Sequence, residues 1–246
     1  MIGNDSERTT AGSTIDATTL YVPLQFWFCR NPGLALPLIA LQYHEVKFNL
    51  QFATLDHLTT GTGVSPGALN ASLYVDYIYL DTDERRQFAQ VQHEYLIEQL
   101  QFTGAESLSG ASAKSKLAFN HPVKELVWVI SESNDAPNVY QGAFTTAKLQ
   151  LNGHDRFSER KASYFNLVQP YQHHTRIPDA TNVYVYSFAL HPEQHQPSGT
   201  VNMSRIDNAT LHLSGVSGTS PSLYVYAVNY NVLRIMAGMG GLAYSN

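Results

Sequence analysis

Cysteine is nearly absent from this 246-residue chain: Cys29 stands alone. One thiol excludes an intrachain disulfide framework and fits a reducing compartment. Charge is also scarce. Only 14% of residues are Asp, Glu, Lys or Arg, the net charge is −5, and no strong basic run occurs. Phosphate binding needs clustered Lys and Arg, so direct nucleic-acid binding is not expected. No apolar run is long enough for a membrane-spanning helix: the stretch 34–41 is short and lies between Arg30 and His44. The opening residues, Met1 to Arg8, are polar and lack the apolar core of a signal peptide. What is abundant is aromatic: 15 Tyr and 11 Phe, in a chain that is 43% hydrophobic. That composition favours strands. With so little charge, it also implies surfaces that are covered by partners or neutral and polar.

The chain is organised around residues 19–52. An aromatic run, Leu20 to Cys29, meets a turn at Arg30-Asn31-Pro32-Gly33, and a second apolar run, Leu34 to Leu41, follows. Then an alternating stretch from His44 to Phe52 puts Val46, Phe48, Leu50 and Phe52 on one face. Residues 1–18 read as a polar tail and 54–71 as a Gly/Thr loop. Ser72 to Leu80 reads as a strand with both faces covered. Asp81 to Gln90 reads as a short helix capped by Asp81 or Thr82, with early acids suited to the helix dipole. Further strands are expected at 93–102, at 116–131 with a break at His121-Pro122, and at 144–151, closed by Asn152-Gly153. Residues 155–176 read as helix and loop. Strands return at 182–190, 209–214 and 223–236, and a Gly-rich irregular tail covers 237–246.

The block at 19–52 recurs weakly. Tyr21-Val22 matches Tyr184-Val185, and Val46, Phe48 and Leu50 align with Ala209, Leu211 and Leu213, all at an offset of 163 residues. Ser72-Leu73-Tyr74-Val75 reappears as Ser222-Leu223-Tyr224-Val225. The second copy is preceded by its own strands from about residue 92, whereas the first is preceded only by the polar tail. The expected organisation is therefore all-β: a tail at 1–18, the last strands of a truncated first jelly roll at 19–80, a helical connector at 81–91, and a complete second jelly roll at 92–246.

Candidate chemistry is thin. Adjacent His173 and His174 suggest a metal, but neighbouring side chains diverge and no second ligand pair follows, so loop packing is the simpler reading. His154-Asp155 and Ser158 offer hydrolase residue types without a Gly-x-Ser-x-Gly elbow. Glu45, Glu84, Glu94 and Glu98 could pair as glycosidase carboxylates only if two face each other across a cleft. Gly238 to Gly241 lacks the Lys and Ser/Thr of a phosphate loop. Cys29 reads as a buried small apolar residue. Asn70, Asn202 and Asn208 head formal glycosylation sequons. No catalytic, cofactor-binding or metal-binding residue is nominated, and no cofactor is expected.

Taken together, TLYVPLQFWFCRNPGLALPLIALQYHEVKFNLQF, SLYVDYIYLDTDERRQFAQVQHEYLIEQLQ, FNHPVKELVWV, YVYSFALHPEQHQPSGTVNMSRIDNATL and NYNVLRIMAGMGGLAYSN resemble the double jelly-roll major capsid proteins of nucleocytoplasmic large DNA viruses, the group that includes iridoviruses and algal viruses. The resemblance runs from Leu20 to Asn246. It implies a non-enzymatic structural protein of two successive jelly rolls, assembling as homotrimers that tile an icosahedral shell. The implied partners are copies of itself, neighbouring capsomers and minor capsid proteins, with no nucleic acid and no membrane insertion. The implied location is the virion, after synthesis and assembly in host cytoplasm. The family's chains are nearly twice as long, so a part of the first jelly roll is expected to lie outside this sequence. The rival reading is a β-sandwich carbohydrate-binding module. Trp27 and Trp128 separate the two: the shell reading buries both in strands, and the carbohydrate reading exposes at least one in a groove.

Overall fold

A computed structural model of the chain describes residues 18–52, 69–131, 142–178, 182–218 and 220–244. All but the last residue of the expected tail at 1–18 and most of the loop at 54–71 lie outside those residues. The chain divides into two compact units, Met1–His93 with Arg234–Gly241, and Glu94–Leu233 with Leu242–Asn246.

The second unit is built on two antiparallel sheets. In chain order the strands are β1 (His93–Ser107), β2 (Ser112–Leu117), β3 (Pro122–Ser131), β4 (Thr146–Leu151), β5 (His154–Asp155), β6 (Arg160–Lys161), β7 (Tyr184–Ser187), β8 (Val201–Asn202), β9 (Ala209–Ser214) and β10 (Ser222–Met236). One sheet has the order β1-β10-β3-β7, with β8 also on β3; the other has the order β2-β9-β4-β5, with β6 also on β4. Leaving aside the two-residue strands β5, β6 and β8, successive strands (β1, β2, β3, β4, β7, β9, β10) alternate between the sheets, and the first and last lie side by side. That is the jelly-roll order.

The hydrophobic pattern explains the pairing. Ala209, Leu211 and Leu213 of β9 are buried at alternate positions, and in register across β4 stand Leu151, Leu149 and Ala147. From the other sheet come Leu126, Trp128 and Ile130 of β3 and Leu223, Val225 and Ala227 of β10. Phe144, Phe165 and Tyr184 close around Trp128 at ring-centroid distances of 6.5, 5.2 and 6.1 Å. Full burial of such side chains contributes about 1.5–3 kcal/mol each. The break foreseen at His121-Pro122 is where the chain leaves one sheet for the other, and His121 takes a positive φ of 65° there. Asn152 and Gly153, with φ of 50° and 80°, form the two-residue hairpin turn from β4 to β5. Between β6 and β7 lie a π-helical turn (Tyr164–Val168) and a short helix, which we number α2 (Gln169–His173).

The first unit departs from expectation. Its helix, α1 (Thr82–Gln90), is present, with a reciprocal capping box: Asp81 accepts from the Glu84 N–H at 2.9 Å, and Glu84 accepts from the Asp81 N–H. The expected strands at 20–29, 44–52 and 72–80 are not formed. In their place are unpaired chain and three 3₁₀ turns, Trp27–Cys29, Pro32–Leu34 and Leu38–Ala40. Alternation marks residues able to line a face, but a strand also needs a ladder partner, and among the described residues these segments have none. Two further expectations change with it. Cys29 is exposed rather than buried, because it ends a 3₁₀ turn instead of alternating along a strand. Trp27 is only half-buried.

The Gly-rich tail is more regular than foreseen: Met239–Leu242 forms a strand, β11, on the end of β10. Ala237 and Gly238, with φ of 51° and 79°, make the hairpin turn. A Cβ on Gly238 would collide with the Tyr43 ring, and the Gly238 carbonyl accepts the Tyr43 N–H at 2.9 Å.

Candidate assembly surfaces

The sheet faces turned away from the core differ in chemistry. On the β1-β10 side, Phe102 stacks on Tyr226 at 4.7 Å and on Tyr224 at 6.1 Å, and Leu100 beside it is exposed. This is an aromatic patch of the kind that gives large contact area while hydroxyls stay wet. On the opposite sheet, Lys114, His212 and Lys148 stand in one cross-strand row. Burial and the two lysines hold His212 below the usual histidine range. Its Nε2 lies 2.8 Å from Gln150 Oε1, and Gln150 donates to Asp155 at 2.6 Å. That bond, helped by Lys148, keeps the Asp155 carboxyl below its ordinary value.

A buried charge network sits at the β7 end of β3. The β3–β10 register slips between Val228 and Asn229, whose partners are Glu125 and Val123, so Lys124 is the extra residue of a bulge. The Lys124 ammonium is buried. It pairs with Glu98 at 2.7 Å, donates to the Pro192 carbonyl at 2.6 Å and lies 5.5 Å from the Tyr230 ring centre. Burial, then the charges of Glu98 and Glu125, push the Tyr230 hydroxyl up to about 12. Next to it, His174 lies between two carboxylates, with Nε2 3.2 Å from Glu125 Oε2 and Nδ1 3.2 Å from Glu193 Oε1. The Glu125 contact is ionic rather than an aligned hydrogen bond. Glu125 foremost, against the opposing effect of burial, raises the His174 pKa above its ordinary value of 6.5.

The residues weighed in the sequence are scattered. His173 and His174 do diverge: His173 Nδ1 contacts the Leu190 carbonyl at 3.0 Å, away from the His174 pair. Among the described residues no group of three or more His, Cys, Asp or Glu is set to hold a metal. Asp155 is held by Gln150 and Lys148; its strand neighbour His154 and the loop residue Ser158 are exposed. Glu45 pairs with Lys47 at 2.9 Å, Glu84 caps α1, and Glu98 pairs with Lys124. Glu94 and Glu98 are four residues apart on β1, about 13 Å by strand rise, too far for a glycosidase pair. Asn70, Asn202 and Asn208 are exposed. Trp128 is 1% exposed and offers no stacking platform for a sugar. The charge network escaped notice in the sequence. Its one signal was Lys124-Glu125, two adjacent charges inside an otherwise apolar strand, which must find partners within the fold.

Two antiparallel sheets in jelly-roll order are an architecture of viral capsid and lectin domains. Residues 84–241 match the family described as large eukaryotic DNA virus major capsid protein, and residues 4–81 match that described as major capsid protein N-terminus. The major capsid protein of Pyramimonas orientalis virus is 60% identical over 99% of this chain, and that of Phaeocystis pouchetii virus is 46% identical over 93%. A chain of the PBCV-1 virus capsid superposes with a TM-score of 0.73 at 41% identity, covering 92% of this chain and 70% of that one. The chain belongs to the major capsid proteins of large eukaryotic DNA viruses. It spans 66% of the length of each of these two relatives, a larger share than chains nearly twice as long would give.

Proposed function

We propose that this chain is a structural element of an icosahedral virus shell and works without catalysis. The observation that carries the reading is the coincidence of the family match over 84–241 with the jelly-roll strand order of the second unit. Residues 19–80 are the closing segment of a first jelly roll, and α1 connects it to the second. The match of residues 4–81 to the family's N-terminal description supports that division.

In this reading the protein assembles as homotrimeric capsomers. Its partners are other copies of itself, neighbouring capsomers and minor capsid proteins, with no direct contact to nucleic acid and no membrane insertion. It is made and assembled in host cytoplasm and ends in the virion. The physical support is a low-charge surface carrying an aromatic patch. Obligate subunit contacts are more apolar than ordinary surface, and few ions have to be desolvated when they form. No helix among the described residues is long and apolar enough to cross a membrane.

The test is the native mass of the full-length protein by light scattering after size exclusion, together with electron microscopy of the particles. A trimer with a three-lobed or pseudo-hexagonal outline is the expected result. A stable monomer at micromolar concentration would overturn the shell reading.

A further inference from the structure

The charge network holds down one particular segment. After β7 the chain makes a loop from Phe188 to Gly199 before it reaches β8. Its neck is closed: a Cβ on Gly199, whose φ is +142°, would stand 2.9 Å from the Phe188 carbonyl oxygen. Leu190 donates to the Ser198 carbonyl at 3.4 Å and His191 N–H to Ser198 Oγ at 2.8 Å. The loop is thus a compact Ω-loop, with His191, Glu193, Gln194, His195 and Gln196 exposed.

Three kinds of contact fasten it to the sandwich. The Lys124 carbonyl accepts from Phe188 N–H at 2.8 Å and Ala189 N–H at 3.2 Å, and the Lys124 ammonium holds the Pro192 carbonyl. His173 reaches the Leu190 carbonyl. Glu193 is gripped from the other side, accepting from Thr175 N–H at 3.1 Å and facing His174 Nδ1. The first set is made by backbone groups and the Lys124 ammonium, and no histidine takes part in it. The grip on Glu193 is different. His174 presents a carboxylate to each ring nitrogen, and its side chain is only 16% exposed. A neutral imidazole has one N–H and would turn a lone pair toward one of the two carboxylates; only the imidazolium satisfies both.

We propose that His174 is a proton-operated clasp that fastens the 188–199 loop to β3, docked while the imidazole is protonated and released at its Glu193 end when the proton leaves. The groups facing the ring are Glu125 from β3 and Glu193 from the loop. Lys124, Glu98 of β1 and Tyr230 of β10 lie beyond Glu125, and His173 precedes it on α2. Counted along this line, the carboxylates of Glu98, Glu125 and Glu193 face one ammonium, that of Lys124. The His174 proton supplies a second positive charge to a cluster that otherwise carries an excess of negative charge.

The sign follows from the two partners. The His174 pKa is raised, so its contribution is complete below the ordinary histidine range and is lost as pH rises through the raised value. Burial pulls Glu193 upward, but the bonds from Thr175 and His174 outweigh it and leave it below its ordinary value of 4.5. Its share is therefore present above that value and is lost only as pH falls through the lowered one. The clasp is closed between these limits and opens on the alkaline side.

The experiment is hydrogen–deuterium exchange of the full chain, followed by mass spectrometry and corrected for the intrinsic pH dependence of exchange. Peptides from 188–199 are compared with a β9 peptide as a folding control. From about pH 6 to about pH 9 the protection of the loop is expected to fall about tenfold while β9 stays constant. In His174→Gln the loop is expected to be weakly protected at all pH values, with β9 unchanged. In His174→Arg, a permanent cation, the fall with pH is expected to vanish. Loop protection in the wild type that is flat across this range, or a fall of the same size in His174→Gln, overturns the proposal.

Discussion

The same four letters meet two fates in this chain. In Ser222–Val225, Leu223 and Val225 are 1% and 4% exposed, and the segment pairs in register with Ser131–Trp128. In Ser72–Val75, Leu73 and Val75 are 47% and 50% exposed, and no ladder is formed among the described residues. The intrinsic preference of the two segments is identical, so the difference lies in their surroundings. β-propensity measures fit to a pleated, covered surface more than a preference of the backbone itself. The same contrast runs through Ala209, Leu211 and Leu213, which are core residues, and their counterparts Val46, Phe48 and Leu50, which are exposed.

Mutations can break or sharpen this comparison. The largest effect is expected at the bulge of the paired unit. Lys124→Met removes one member of a buried pair and leaves Glu98 without its cation, at a cost of about 3–5 kcal/mol, read from urea unfolding. Next comes the matched pair of truncations. Leu223→Ala should destabilise the chain by about 2–5 kcal/mol, whereas Leu73→Ala should stay within about 0.5 kcal/mol. Equal losses would mean that the two segments are held alike and that the contrast drawn here is wrong. The smallest effect is in the first unit, where α1 depends on its own cap. Asp81→Ala should cost about 1 kcal/mol, seen as lost helical signal in circular dichroism, and Asp81→Asn should restore most of it.

These contrasts also show what could be read from the letters alone. The second sandwich was legible because alternation, turn residues and strand length agreed: β9, β10 and the Asn152-Gly153 turn all stand where pattern put them. Helix α1 was legible from Asp81 and Glu84, since a capping box is local chemistry. The segments at 20–29, 44–52 and 72–80 misled because alternation says nothing of a partner. The tail misled for the opposite reason: its glycines read as irregular, although Ala237-Gly238 is a tight turn that returns the chain onto β10. The His174 clasp lay out of reach. Glu125, His174 and Glu193 are brought together only by the sandwich, and no spacing in the sequence announces it.

The exposure of Cys29 has a consequence of stoichiometry. With one thiol in these 246 residues, oxidation of this chain as given can join copies only in pairs, because neither member of a pair has a second thiol to offer. Disulfide cross-linking through Cys29 therefore stops at dimers of this chain. A maleimide that labels this chain marks one position per copy, so the ratio of dye to protein mass counts its copies directly.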